Sequence, residues 1–226
     1  VELRLFAAAG RVAQRPASAL SPWRWNPEDR AMTDAGSLPP FFVLTGGPGA
    51  GKTTLVEALA QAGVATVAEA GRAVIRDETA RGGRALPWLD PLAFAGAMLA
   101  RDVAAYEAMR GAVAPVVFDR GIPDIAGYLR LEGLDPPQAL RAAMRRHRYR
   151  PRVFICPPWR EIYTADSERR QSFEVARRTY RAMVEVYGEL GHELLEVPRA
   201  PVAARVRFVR ERIGSAAGLR GQSNEV

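Results

Sequence analysis

Lysine is nearly missing from this chain: of the 32 lysines and arginines in 226 residues, only Lys52 is a lysine. Cysteine occurs once, histidine twice, and no apolar run approaches the ~18 to 20 residues that cross a bilayer as a helix. Each shortage excludes something. A lone cysteine, Cys156, cannot close an internal disulfide; set in an apolar strand-like run, it reads as buried filler in a cytoplasmic protein held in a reducing compartment. His147 and His192 have no zinc-type spacing around them and read as structural or exposed. Without a second lysine there can be no Asn-Lys-x-Asp element for reading guanine, which removes GTPase-type base recognition. A net charge of +7 and a pI near 10.3 permit attraction to nucleotides, RNA or acidic membranes without choosing among them. With 48% hydrophobic and 25% charged residues, the chain has the composition of one globular domain with a sizeable core and modest tails.

The one lysine stands in the most informative stretch. Phe41-Phe42-Val43-Leu44-Thr45 is an apolar run that breaks into Gly46-Gly47-Pro48-Gly49-Ala50-Gly51-Lys52-Thr53-Thr54 and then into a helix-forming segment. Gly46, Gly51, Lys52 and Thr53 satisfy G-x4-G-K-[ST], in which small residues let successive backbone N–H groups turn inward around a phosphate. Lys52 is expected to reach the outer phosphates of ATP and Thr53 to place its hydroxyl on Mg2+, with the helix N-terminus adding its positive dipole end. A compact ammonium on a flexible stem is not replaced by a planar guanidinium fork, which accounts for a lysine surviving here alone. The competing reading is a chance glycine-rich turn, and the flanking strand and helix patterns argue against it.

Around that loop the pattern alternates. Short apolar runs near 41–45, 65–69, 115–119, 152–156 and 193–197 are separated by helical segments near 51–62, 71–82, 90–110, 123–132, 136–148, 168–190 and 201–213, as βαβ units of a parallel sheet require. In the 90–110 segment Leu92, Ala95, Leu99, Val103 and Tyr106 form the expected sheet-facing stripe. Residues 1–40, punctuated by prolines, read as a disordered extension, as a transit-like segment, or as sequence upstream of a start at Met32. Residues 41–213 are the expected domain and 214–226 a frayed tail.

Two strand ends carry acids followed by arginines. Asp119, closing Pro115-Val116-Val117-Phe118, would lie beside the phosphate loop where it can hold magnesium directly or through water, and Arg120 would face a phosphoryl group; alternatively Asp119 caps the next helix. Glu69, before Ala70-Gly71-Arg72, would emerge at the carboxyl edge of the sheet and accept a proton from an acceptor hydroxyl; it could equally cap a helix or pair with Arg72. Arg169 and Arg170 open a long amphipathic segment and suit a closing lid that stabilises transferring charge, against the plainer alternative of a solvated helix face. The dense run Arg141, Arg145, Arg146, Arg148, Arg150 and Arg152, with His147 and Tyr149 interleaved, invites an RNA-binding reading, though no recognised nucleic-acid module accompanies it. Trp88 is either a base-stacking residue or a core anchor.

Taken together, the GGPGAGKTT loop, Glu69-Ala70-Gly71-Arg72, Leu86-Pro87-Trp88, the turn from Phe118 to Asp124, Pro157-Pro158-Trp159 and Glu168-Arg169-Arg170-Gln171-Ser172-Phe173 resemble the AAA-domain family of small P-loop proteins related to the ribosylnicotinamide kinase domain, from about Phe41 to Ile213. The resemblance implies an α/β, three-layer P-loop NTPase fold, a five-stranded parallel sheet in the order 2-3-1-4-5, and a helical lid. It also implies that Asp119 and Arg120 correspond to the Asp-Arg pair of thymidylate-type kinases, that Glu69 sits where deoxynucleoside kinases keep a catalytic glutamate, and that Asp124 faces the same cleft. The chain is too short for the helical C-terminal subdomain and sensor arginine of a ring-forming AAA+ motor. The expected activity is Mg2+-dependent transfer of the γ-phosphoryl group of ATP to a small nucleoside-like acceptor. The alternatives are a slowly hydrolysing ATP-dependent switch or scaffold and an RNA-binding ATPase.

Overall fold

The computed structural model describes residues 38–163 and 172–218. Strands β1 (Phe41–Gly46), β2 (Ala65–Val67), β3 (Val116–Asp119), β4 (Arg152–Cys156) and β5 (Glu193–Glu196) alternate with helices α1 (Lys52–Gln61), α2 (Ala70–Arg81), α3 (Pro91–Ala108), α4 (Ile122–Leu131), α5 (Gln138–Arg146), α6 (Phe173–Glu189) and α7 (Val202–Gly218). The strands form one parallel sheet in the order β2-β3-β1-β4-β5. All six residues of β1 are buried, as the central strand of a sheet covered on both faces must be.

Alternation along β1 sorts the core into two layers. Phe41 and Val43 point into a cluster completed by Ala95 and Tyr106 of α3, Ile125 and Leu129 of α4, and Met183 and Val186 of α6. Phe42 and Leu44 point the other way, against Leu55 and Leu59 of α1 and Val209 and Ile213 of α7. Leu55 and Leu59 are fully buried; each contributes about 1.5–3 kcal/mol, and together they fix the helix that follows the phosphate loop against the sheet. Leu59→Ala would cost roughly 2–5 kcal/mol.

The strand and helix order agrees with the sequence reading, with local differences. β2 stops at Val67, so Glu69 is not a strand residue but the one immediately before α2. Leu92 is 47% exposed; the packed stripe of α3 is instead Ala95, Met98, Leu99, Val103 and Tyr106, and Leu92 lies in the first turn, directly after the Asp90 cap and Pro91. α7 continues to Gly218 rather than ending at 213, since Ser215-Ala216-Ala217 contains nothing that breaks a helix. α6 starts at Phe173. Of the expected extension at 1–40, residues 1–37 lie outside the described residues, as do positions 168–171 of the expected helix.

Sheet register sets the site. Leu44 pairs with Asp119 and Gly46 with Cys156, so the loop after β1 and the acid ending β3 leave the same carboxyl edge. The strand order diverges at β1, with β3 on one side and β4 on the other, which opens the crevice where ligands bind in open α/β sheets.

Candidate active site

The loop after β1 is shaped by its glycines. Gly49 and Gly51 adopt φ of +70° and +69°, the left-handed region that a side chain would strain. A Cβ on Gly49 would stand 2.5 Å from the ring of Tyr163, and one on Gly51 would stand 2.7 Å from the guanidinium of Arg205. α1 begins at Lys52 with no side-chain cap and no acid in its first turn, so its first amides keep their positive end open to an anion. Lys52 is buried and donates from Nζ to the carbonyls of Gly46 (3.2 Å) and Gly47 (2.8 Å). Burial, then the charge of Arg120, lower its pKa to about 8, with Asp119 and Glu69 opposing. Pro48 and Thr53 are half-buried, Ala50 is buried, and Thr54 is exposed.

Behind the loop stands Arg205 of α7, 4% exposed. It donates to the carbonyls of Ala50 (3.0 Å) and Gly51 (3.2 Å) and to Sγ of Cys156 (3.1 Å), and lies over the ring of Trp159. Cys156 is thus buried, as read from sequence, and also accepts a hydrogen bond. Arg205 carried a signal that went unread: with Val209 and Ile213 it occupies one stripe of α7 at i, i+4 and i+8, an arginine on an apolar face.

Across the cleft, the acids are joined through Arg120. This residue has φ +72°, a left-handed conformation costing a non-glycine residue about 1–2 kcal/mol. Its amide donates to Leu44 O, its Nε to Glu69 (3.2 Å) and its guanidinium to Asp124 (3.0 Å). Charge-assisted bonds of about 1.5–3 kcal/mol each outweigh that strain. Burial alone would raise the Glu69 carboxyl, but Arg120, Lys52 and Arg72 hold it below its ordinary value. Glu69 makes no capping bond to α2 and pairs with both Arg120 and Arg72, so the helix-cap reading is set aside and the Arg72 pairing is present.

Asp119 is not a helix cap either. Gly121 precedes α4, and its amide is held by Asp124 at 3.0 Å. Asp119 is 7% exposed, and its Oδ1 is buried with no hydrogen-bond partner among the described residues. Burial pushes its carboxyl above the ordinary value, with Lys52 opposing and Glu69 adding to the rise. A buried acceptor without a donor is the kind of group a hydrated cation satisfies.

Asp124 ties the side of the cleft opposite the glycine loop together. It accepts from Thr45, from Arg120, from the Gly121 amide and from Tyr187 (2.6 Å), joining β1, α4 and α6 at one carboxylate. Asp102 of α3 also reaches this region: burial, then Asp124 and Glu69, raise its pKa to about 8, with Arg120 opposing. Sequence reading named neither Thr45 nor Tyr187 nor Asp102 as site residues.

Other candidates resolve differently. Arg169 and Arg170 lie outside the described residues. Trp88 packs against Val74, Ile75, Leu86 and Phe94, on the core-anchor side of its two readings. In the arginine run, Arg141, Arg148 and Arg150 donate to the carbonyls of Pro136, Arg145 and Pro39, and Arg152 pairs with Glu193. Those guanidiniums hold the fold, which weakens the RNA-binding reading. His147 bridges Ala143 O and Glu107, and His192 faces Pro151 O, both in structural roles.

A parallel sheet in this order, with its central strand running into a phosphate loop and helix, defines an α/β protein of P-loop kinase-like fold. Residues 41–205 match the model of the family described as AAA domain, and the chain belongs to that family. Among solved structures it is similar to NadR protein in complex with NR, with a TM-score of 0.55 and 18% identity over 79% of this chain and 51% of that one. It is also similar to shikimate kinase from Acinetobacter baumannii in complex with shikimate, with a TM-score of 0.45 and 19% identity over 79% of this chain and 94% of that one. The chain therefore spans about half the length of the NadR chain. No curated protein matches the sequence. Among the described residues no helix is long and apolar enough to cross a membrane.

Proposed function

We propose that this protein is a Mg2+-dependent phosphotransferase that moves the γ-phosphoryl group of ATP to a small nucleoside-like acceptor. The observation that carries the reading is the convergence of Lys52, Arg120, Glu69 and the unpartnered Asp119 carboxylate beside an open helix N-terminus. The backbone of Gly46 to Thr54 cradles the donor phosphates, and Lys52 exchanges the carbonyls of Gly46 and Gly47 for phosphate oxygens. Among the described residues no cluster of three metal-ligating side chains occurs, so Thr53 and Asp119, together with phosphate oxygens, are the groups that would hold magnesium. The ion supplies charge neutralisation at the donor phosphates when bound. Arg120 stabilises charge on the transferring group, Glu69 accepts the proton of the acceptor hydroxyl, and Arg169 with Arg170 would close over the site. Positioning and electrostatics carry most of the rate in such transfers, which suits a cleft with two cations and several acids at fixed distances.

The test is acceptor-dependent turnover. ADP release stimulated by a hydroxyl acceptor, with a phosphorylated product, is the expected result; slow release indifferent to every acceptor would make the protein a nucleotide-dependent switch instead. Lys52→Ala should lose at least about a hundredfold in turnover and weaken ATP binding. Unchanged ATP affinity and turnover in that variant would sink the donor-site assignment.

A further inference from the structure

We propose that Thr45 is a positioning residue: acting through Asp124, it holds the guanidinium of Arg120 in register with the phosphate loop. The inference rests on the phosphotransferase reading above, in which Arg120 meets the transferring group. Thr45 lies in β1 directly before Gly46 and is fully buried. Alternation along the strand turns its side chain to the face of Phe41 and Val43, the face covered by α4 and α6. A hydroxyl in that apolar layer needs a partner, and it donates to the carboxylate of Asp124, itself 4% exposed.

The two oxygens of that carboxylate have separate tasks. Oδ2 accepts from the Gly121 amide (3.0 Å) and from the Tyr187 hydroxyl (2.6 Å), closing the first turn of α4 and fastening it to α6. A Cβ on Gly121 would stand 2.9 Å from Val43 and 3.2 Å from the Tyr187 hydroxyl, so this joint is closely packed. Oδ1 accepts from Thr45 and from the guanidinium of Arg120 (3.0 Å). Oδ2 thus serves the fold, while Oδ1 links β1 to the cleft.

Arg120 depends on that link. Its backbone is left-handed, and its side chain is 20% exposed at the cleft. Its amide donates to Leu44 O at 3.0 Å, and its guanidinium is tied to Thr45 through Asp124. The next residue, Gly46, gives its carbonyl to Nζ of Lys52 at 3.2 Å. Three consecutive residues at the end of β1 therefore set the reference for both cations of the cleft. The other anchor of Arg120, Glu69 at 3.2 Å, is 22% exposed and is the group that would turn to an acceptor hydroxyl. The buried Asp124 bond is then what keeps the guanidinium aimed. Valine at position 45 keeps the branched shape and removes the donor, so Oδ1 retains Arg120 alone and the strand no longer fixes where that pair points.

Turnover of the full chain is measured with ATP, magnesium and a panel of hydroxyl acceptors, well below the thermal midpoint of each variant. In parallel the Nε–H resonance of Arg120, assigned with Arg120→Lys, is followed by NMR. Thr45→Val and Thr45→Ala, either of which removes the donor, should lower kcat about tenfold or more, leave KM for ATP within about threefold of wild type, and move the Arg120 resonance. Thr45→Ser restores the donor and should bring kcat back to within about threefold of wild type, with the resonance in its original place. Wild-type kcat in the donorless variants, an effect confined to KM for ATP, an unmoved resonance, or a serine variant as impaired as the valine one would each overturn the proposal. A wild type indifferent to every acceptor, whose Arg120 resonance still moves in Thr45→Val and returns in Thr45→Ser, would instead remove the phosphotransferase reading and leave Thr45 holding Arg120.

Discussion

Donor side and acceptor side share one cleft but are built by opposite means. The donor side of the proposed site is a single stretch, Gly46 to Thr54, in which backbone groups would do the binding and one side chain from afar, Arg205, braces the loop from behind. The acceptor side has no such stretch. Thr45 comes from β1, Glu69 from the turn before α2, Arg120 and Asp124 from the segment after β3, and Tyr187 from α6. Backbone-built sites tolerate changes of side chain outside their glycines and lysine, whereas a site assembled from distant side chains depends on each member keeping its partners. That difference orders the consequences of mutation.

The largest effect should fall on Asp124. Replacing it by Ala leaves the buried Tyr187 hydroxyl, the Gly121 amide and part of the Arg120 guanidinium without an acceptor. Removing one partner from a buried charged network costs about 3–5 kcal/mol, so the denaturant midpoint should drop steeply. If Asp124→Ala unfolds at the wild-type midpoint, the acceptor side is not held together as described. Asp119→Asn comes next and attacks the donor side through the proposed magnesium site rather than through the fold. Asp119 makes no hydrogen bond among the described residues that the amide would break, so stability should hold while turnover falls roughly a hundredfold, with the magnesium requirement shifted to higher concentration. Equal turnover at equal magnesium would remove Asp119 from the metal.

The same contrast explains what could be read in advance. The donor loop was legible because its chemistry is contiguous: spacing alone fixes Gly46, Gly51, Lys52 and Thr53. The three central strands were legible because a buried parallel sheet requires continuous apolar runs, and Phe41–Leu44, Val116–Phe118 and Val153–Ile155 are such runs. The partners of Asp124 were not legible, since nothing in a local window says that Thr45 and Tyr187, 142 positions apart by their numbers, meet at one carboxylate. Arg205 and Asp102 are intermediate. Each is a charged residue on an otherwise apolar helical stripe, a visible local inconsistency of the sort that marks functional sites, but the sequence does not say toward what it points.

Arg205→Met sharpens the donor side's dependence on its brace. Methionine keeps the buried volume and loses the bonds to Ala50 O, Gly51 O and Cys156 Sγ; because Arg205 Nε is itself buried without a partner among the described residues, part of the loss is returned. ATP affinity should weaken about tenfold, while binding of a neutral nucleoside stays as in wild type. An equal loss on both sides would mean that Arg205 supports the domain at large rather than the loop.

The smallest effect, and the one with a sign of its own, belongs to Asp102. Its folded pKa near 8 lies above the ordinary 3.8, so between those values the folded chain holds a proton that the unfolded chain has released. Stability therefore falls as pH rises from about 4 to about 8, and above that range the buried charge is a standing cost. Asp102→Asn removes the titration, so the variant should match wild type near pH 4 and exceed it above pH 8. Because Asp102 is only partly buried, solvent screening reduces the gain to about 1 kcal/mol, visible as a small rise in thermal midpoint at pH 8.5 that vanishes at pH 4.5. A donor-side acid would behave otherwise: Asp119 is to be relieved by a cation, so added magnesium with ATP should stabilise wild type and Asp102→Asn alike. An Asp102→Asn variant that is less stable than wild type at pH 8.5 would mean that the Asp102 carboxylate already has a stabilising partner in the fold.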